Sequence, residues 1–152
     1  MAKSGDFLVF NIEDACLAVV LEQVDRVVRA ASLHAIPGSP HTVLGYLNLD
    51  GVPVPVISLR RKLAMEDKEM DVTDEIIILR REQALFGLLV DEVDDVKHVD
   101  SIAPISEISE IKHISGTLAL KDGVVLVHDI AHFLNAKEEM DLALALIRSL
   151  KE

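Results

Sequence analysis

Two histidines, His128 and His132, stand four residues apart with Asp129 between them. On a helix this spacing puts both imidazoles on one face, as a metal site requires. No glutamate adjoins the first histidine, no third ligand is evident, and Asp129 is placed to cap a short helix through Phe133. Asp91, Glu92, Asp94 and Asp95 offer the hard oxygen ligands that calcium or magnesium take, but Val93 interrupts the run and the spacing of a calcium loop is missing. A solvated acidic rim is the expectation there. Ser32 with His34, and Ser115 with His113, pair a hydroxyl with a base, yet neither sits in a strand-turn-helix elbow such as G-x-S-x-G. The seven glycines are scattered, so no phosphate-cradling loop is expected. Cys16, the single cysteine, excludes a disulfide within the chain and reads as a buried small hydrophobe in the apolar run 15–21. The expectation is no catalytic residue, no metal and no cofactor: a chain that is not an enzyme.

The elements that would hold these residues are mostly short strands. Residues 7–12 and 16–21 read as two strands around a tight turn at Glu13-Asp14, while 22–28 is ambiguous between a helical turn and a strand. Ile36-Pro37-Gly38-Ser39-Pro40 is a rigid loop. Residues 44–49 and 52–57 flank Asp50-Gly51, the strongest hairpin signal in the chain. Pro53 and Pro55, two apart, withhold their N–H groups on one side, which places that strand at a sheet edge. Residues 65–74 are charged and patternless, a solvated loop. Further strands are expected at 75–79, 84–90 and 95–99, and a late hairpin over 118–127 turns at Lys121-Asp122-Gly123. The two Asp-Gly hairpins hint at two similar halves. In the tail, Ala143, Leu146, Ile147 and Leu150 fall on one helix face, with acidic residues in the first turn and basic ones in the last, matching the helix dipole.

Composition narrows the function. Half of the 152 residues are hydrophobic and the mean hydropathy is +0.32, too apolar for disorder. Aromatics are only 3%, so the core is built from Val, Ile, Leu and Ala. The net charge of −11 repels phosphate and anionic membranes. A single-strand nucleic-acid barrel would need stacking aromatics and a basic groove, and the chain has no Trp and one Tyr. No signal peptide and no span of about 18 apolar residues is evident, so a cytoplasmic location is expected.

The stretch Gly45-Tyr46-Leu47-Asn48-Leu49-Asp50-Gly51-Val52-Pro53-Val54-Pro55-Val56-Ile57-Ser58-Leu59-Arg60 resembles the signature of the CheW family, G-x-x-N-L-R-G-x-x-x-P-V-x-D-L-R. The loop 36–40 resembles the family's Pro-x-x-Pro loop, and Phe86-Gly87-Leu88-Leu89-Val90-Asp91-Glu92-Val93 its G-L-x-V-D-x-V segment. The resemblance covers roughly residues 6–135, followed by an amphipathic helix over 137–152. It implies an all-β fold of two intertwined five-stranded barrels with short helices and a C-terminal helix. The implied role is a chemotaxis scaffold that binds the cytoplasmic tip of a chemoreceptor and the regulatory domain of a CheA-type histidine kinase. An adaptor of a divergent chemosensory array with another output is the alternative. The receptor-binding positions carried over are Val24, Arg26, Gly45, Asn48 and Asp50. A glycine at 45 would let a partner helix approach closely, so Gly45→Trp is expected to keep the fold and lose the receptor, unless the glycine serves a strand bulge instead. Two positions depart from the signature: Asp50 replaces the family arginine and Ser58 the family aspartate. Arg26 matches a family glutamate that faces that arginine, so the pair has changed sign at both ends and is expected to touch.

Overall fold

The computed structural model describes residues 5–81, 84–99, 114–120 and 123–128, together with Leu142 and Ala145. Ten strands form two five-stranded sheets. They are β1 (Gly5–Ile12), β2 (Ala15–Val20), β3 (Val24–Arg29), β4 (Val43–Leu49), β5 (Val52–Ser58), β6 (Glu75–Arg81), β7 (Ala84–Val90), β8 (Glu92–Val99), β9 (Ile114–Leu120) and β10 (Gly123–His128). The first sheet runs β8-β1-β2-β10-β9 and the second β3-β6-β7-β5-β4. A 3-10 turn, Leu21–Gln23, precedes β3, which resolves the ambiguous stretch into both of its alternatives in succession.

The two sheets repeat one plan. A hairpin, β1–β2 or β6–β7, sends the next strand to the other sheet, where β3 joins β6 and β8 joins β1. A second hairpin, β4–β5 or β9–β10, then joins the first through a parallel pair. The β4–β5 and β9–β10 hairpins therefore occupy corresponding places, and the first turns at Asp50-Gly51. At the first of them Asp50 has φ 51° and Gly51 φ 89°, the left-handed pair that a two-residue turn matched to strand twist needs.

The apolar run Ile76-Ile77-Ile78-Leu79 in β6 is fully buried because both of its faces are covered. Ile77 and Leu79 enter a core shared with Phe10, Ile12, Leu17 and Val19 of the first sheet. Ile76 and Ile78 enter a second core with Leu47, Val54 and Val56, all on the second sheet, against which Leu33 also packs. Full burial of each such side chain stabilises the fold by about 1.5–3 kcal/mol.

The proline reading needs correction. β5 is not an edge strand; it lies between β4 and β7, and β4 is the edge. The ladder to β4 runs through both prolines (Asn48↔Pro53, Tyr46↔Pro55), whereas the parallel ladder to β7 begins only at Val56. The missing N–H groups are tolerated because the second ladder starts beyond them. In the tail, Leu142 and Ala145 are helical and buried against Ile36, Val43 and Tyr46; the expected face is formed by 143, 146, 147 and 150. Those four residues, like His113, Asp129 and His132, lie outside the described residues. Among the described residues no helix is long and apolar enough to cross a membrane.

Candidate functional site

The five positions carried over from the signature gather on the second sheet, but they do different work. β3 and β4 are opposite edges of that sheet, yet Arg26 Nη1 comes within 3.9 Å of Asp50 Oδ2. Side chains from the β3 edge and from the turn after β4 thus come within reach of each other. Val24, on the same strand, is half-buried against the shared core. Asn48 is committed to the hairpin: its Oδ1 accepts the Gly51 N–H at 2.8 Å.

Gly45 belongs to the sheet. It is buried, sits at a register shift in β4 with φ +150°, and lies under the segment that follows β3. There His34 and Tyr46 exchange backbone hydrogen bonds of 2.9 and 2.8 Å, and their rings stack at 5.0 Å. A Cβ on residue 45 would stand 2.5 Å from the His34 carbonyl oxygen. This overturns the expectation that Gly45→Trp would be neutral for folding: the bulge reading is the one the geometry supports. His34, though exposed, is held here by its backbone bridge to Tyr46 and by the stacked rings.

The Arg26–Asp50 contact exists but is loose, with side chains 50% and 92% exposed. Arg26 bonds more closely to Asp25, Nε to Oδ2 at 2.8 Å. In a double-mutant cycle of Arg26→Glu and Asp50→Arg, followed by urea unfolding, the coupling is expected at or below about 0.5 kcal/mol, in the lower part of the range for exposed pairs. A coupling above about 1 kcal/mol would contradict the exposed geometry.

In the acidic run Glu92, Asp94 and Asp95 are exposed, as a solvated rim would be, and one residue departs from it. Asp91, expected on a solvated rim, receives Arg60 through two bonds, Nη2 to Oδ1 at 3.0 Å and to Oδ2 at 2.8 Å. Arg60 also donates from Nη1 to the Glu13 carboxylate and to the Glu66 carbonyl. The Glu13 N–H closes the network on Asp91 Oδ2 at 2.8 Å, holding Glu13 at φ 52°, a conformation a glutamate adopts only when its surroundings fix it. The network joins the β1–β2 turn, the β7–β8 junction and α1 (Leu59–Lys62), and so ties one sheet to the other. Burial opposes the charge on Asp91, but the Glu13 N–H and Arg60 outweigh it and hold the carboxyl below its usual range. Ser58 caps α1 by accepting the Arg61 N–H at 3.2 Å, and serine and aspartate are both favoured helix N-caps.

Asp25, Asp67 and Asp71 also lie below the usual carboxylate range, held first by hydrogen bonds from Arg26, Arg61 and the Thr73 backbone respectively. A lowered folded-state value adds stability above the unfolded value, near 3.9, and that stability is lost as pH falls through the folded value. Unfolding free energy is therefore expected to fall as pH drops below about 4. Denaturant titrations across pH check this, and a stability that rose on acidification below pH 4 would contradict it. Cys16 is half-buried rather than buried, and burial followed by the negative charge of Asp94 raises its thiol value, so the neutral thiol prevails. Among the described residues no three His, Cys, Asp or Glu side chains converge as a metal site would need.

Among the described residues the protein is thus of a β-rich, two-sheet class with few helices and a partly buried ionic tie between the sheets. The chain belongs to the CheW family: it matches the CheW-like domain over residues 6–138. It is 28% identical over 138 residues to the chemotaxis protein CheW of Klebsiella aerogenes, covering 88% of this chain and 83% of that one. It is 32% identical over 95 residues to the chemotaxis protein CheW of Bacillus subtilis, 62% of this chain and 61% of the relative. The crystal structure of scaffolding protein TtCheW from Thermoanaerobacter tengcongensis superposes with a TM-score of 0.79 at 24% identity, over 90% of this chain and 91% of that one, and so shares the fold.

Proposed function

We propose that this protein is the coupling scaffold of a chemotaxis array, binding chemoreceptor tips and the regulatory domain of a CheA-type histidine kinase, and acting by binding rather than turnover. The observation that carries the reading is the CheW-like match over 6–138, together with a signature stretch, 45–60, that is built into one hairpin and its following helix. In this reading Val24, Arg26, Gly45, Asn48 and Asp50 mark the receptor side. Val24 and the Arg26–Asp50 pair supply surface there, while Gly45 and Asn48 shape the strand and turn that present it. The reading also takes each sheet as a barrel intertwined with the other; the approach of Arg26 to Asp50 and the second sheet's own core support closure of that one. It takes the tail from 137 as a helix, supported by Leu142 and Ala145. A cytoplasmic location goes with the role.

Calorimetric titration with the regulatory domain of a CheA-type kinase from the same organism tests it. Binding in the micromolar range, about −8 kcal/mol, is expected for a modular interface of this kind. An absence of binding to every such kinase of that organism would contradict the reading.

A further inference from the structure

β3 carries a bulge at Asp25: Val24 pairs with Leu79 but Arg26 with Ile78, so Asp25 is the extra residue. In a regular strand consecutive side chains point to opposite faces and cannot meet. The bulge lets Asp25 and Arg26 meet, and it also aims Asp25 at Arg80 of β6. The Asp25 carboxylate accepts Arg26 Nε on Oδ2 at 2.8 Å and Arg80 Nη2 on Oδ1 at 2.5 Å. Asp25 is nearly buried between them, its side chain 13% exposed, while Arg26 and Arg80 remain 50% and 53% exposed. One carboxylate thus takes an N–H from each of two half-exposed guanidiniums, and Asp50 Oδ2 stands 3.9 Å from Nη1 of the first of them, Arg26. Arg29, also exposed, lies three residues along the same strand.

We infer that Arg26 and Arg80, splayed by Asp25, form a carboxylate-reading fork, and that the receptor segment docking on this face presents an acidic side chain to it. The inference rests on the receptor reading above and adds Asp25 as a positioning residue and Arg80 as a specificity residue. A planar guanidinium matches a carboxylate with two parallel hydrogen bonds, and two half-exposed ones beside each other favour an acidic group over a neutral one. The setting sharpens the choice. A chain of net charge −11 repels an acidic partner everywhere except at a local positive face, so the fork orients the encounter.

The test uses the full chain and a cytoplasmic-tip fragment of a chemoreceptor from the same organism, with binding rates measured at two salt concentrations. Arg80→Glu is expected to weaken binding by roughly three- to tenfold, mainly through slower association, with the loss shrinking at high salt. Asp25→Asn raises the positive charge yet is expected to weaken binding, because the fork loses its spacer. Single Glu→Lys and Asp→Lys changes across the receptor tip are then combined with Arg80→Glu, and at one acidic position the loss is expected to be recovered. Binding of the kinase regulatory domain by both variants at wild-type strength shows that the fold is intact. Arg80→Glu binding as wild type, or recovery at no acidic position, overturns the fork. Tighter binding by Asp25→Asn overturns the positioning role of Asp25. A wild-type chain that binds no receptor tip but binds the kinase removes the receptor reading itself, and this inference with it.

Discussion

Arg60→Ala is expected to lower the unfolding free energy by roughly 2–4 kcal/mol, a drop in Tm of about 4–16 °C for a chain of this size. The guanidinium is 10% exposed and is shared between Asp91 and Glu13. Removing it leaves two carboxylates facing each other across the junction of the sheets, one of them largely shielded from water. The cost stays below the fully buried limit of about 3–5 kcal/mol because Glu13 is half exposed and can turn to solvent. The origin of the loss can be separated from simple truncation. If unpaired carboxylates cause it, Arg60→Ala with Asp91→Ala is less destabilised than the sum of the single changes. Acid also distinguishes the variants. Wild-type Asp91, lowered by its partners, contributes stability above the unfolded value that disappears as pH falls through the folded one. Without Arg60 that part of the acid-induced loss is expected to shrink, because of its two main partners only the Glu13 N–H then works against burial. Additive single changes and an unaltered acid limb would show that the network carries little.

Gly45→Ala is the second large effect, with an expected loss of roughly 2–4 kcal/mol. Two costs combine in it: a left-handed φ of +150° and a Cβ placed 2.5 Å from the His34 carbonyl oxygen. Relief requires the His34–Tyr46 bridge to open, since the obstruction is backbone. Gly51→Ala provides the comparison. Its φ is +89°, but a Cβ there meets nothing within 4 Å, so only the conformational cost of about 1–2 kcal/mol remains. The difference between the two variants in urea unfolding isolates the collision with His34. Equal losses at 45 and 51, or a Gly45→Ala protein within about 0.5 kcal/mol of wild type, would contradict this account. Loss of partner binding on changing Gly45 then reports a damaged strand before it reports a blocked surface.

What could be read from the chain depended on how local the cause was. The turn at Asp50-Gly51 was legible because two adjacent residues must both adopt positive φ, and those residue types do so readily. The run 76–79 was legible as a strand, but not that its two faces serve different cores, because that depends on strands far away in sequence. The Pro53/Pro55 reading identified a one-sided ladder and misjudged its extent; sequence spacing shows which N–H groups are missing, not where the neighbouring strand begins. The signature marked Gly45 as special without saying whether a partner or the chain itself approaches it, and the His34 carbonyl answers that. The ionic clusters were the least legible. Arg60 meets Glu13 and Asp91 across separations of 47 and 31 residues, and Arg80 meets Asp25 across 55. Such pairs leave no local pattern, and Asp91 stood in a run of acids that looked uniformly solvated. The available signal was Arg60 itself, the closing residue of an otherwise apolar strand-to-helix stretch, where a buried cation demands a partner.

The central claim is that the protein couples two partners at once, and a bridging measurement tests it most directly. Receptor-tip fragments are immobilised, and the regulatory domain of a CheA-type kinase from the same organism is passed over them with and without the chain. The account predicts that the kinase domain is retained only when the chain is present, in proportion to the chain bound. Kinase retention that does not depend on the chain, or receptor and kinase fragments that displace one another from it, would contradict the account.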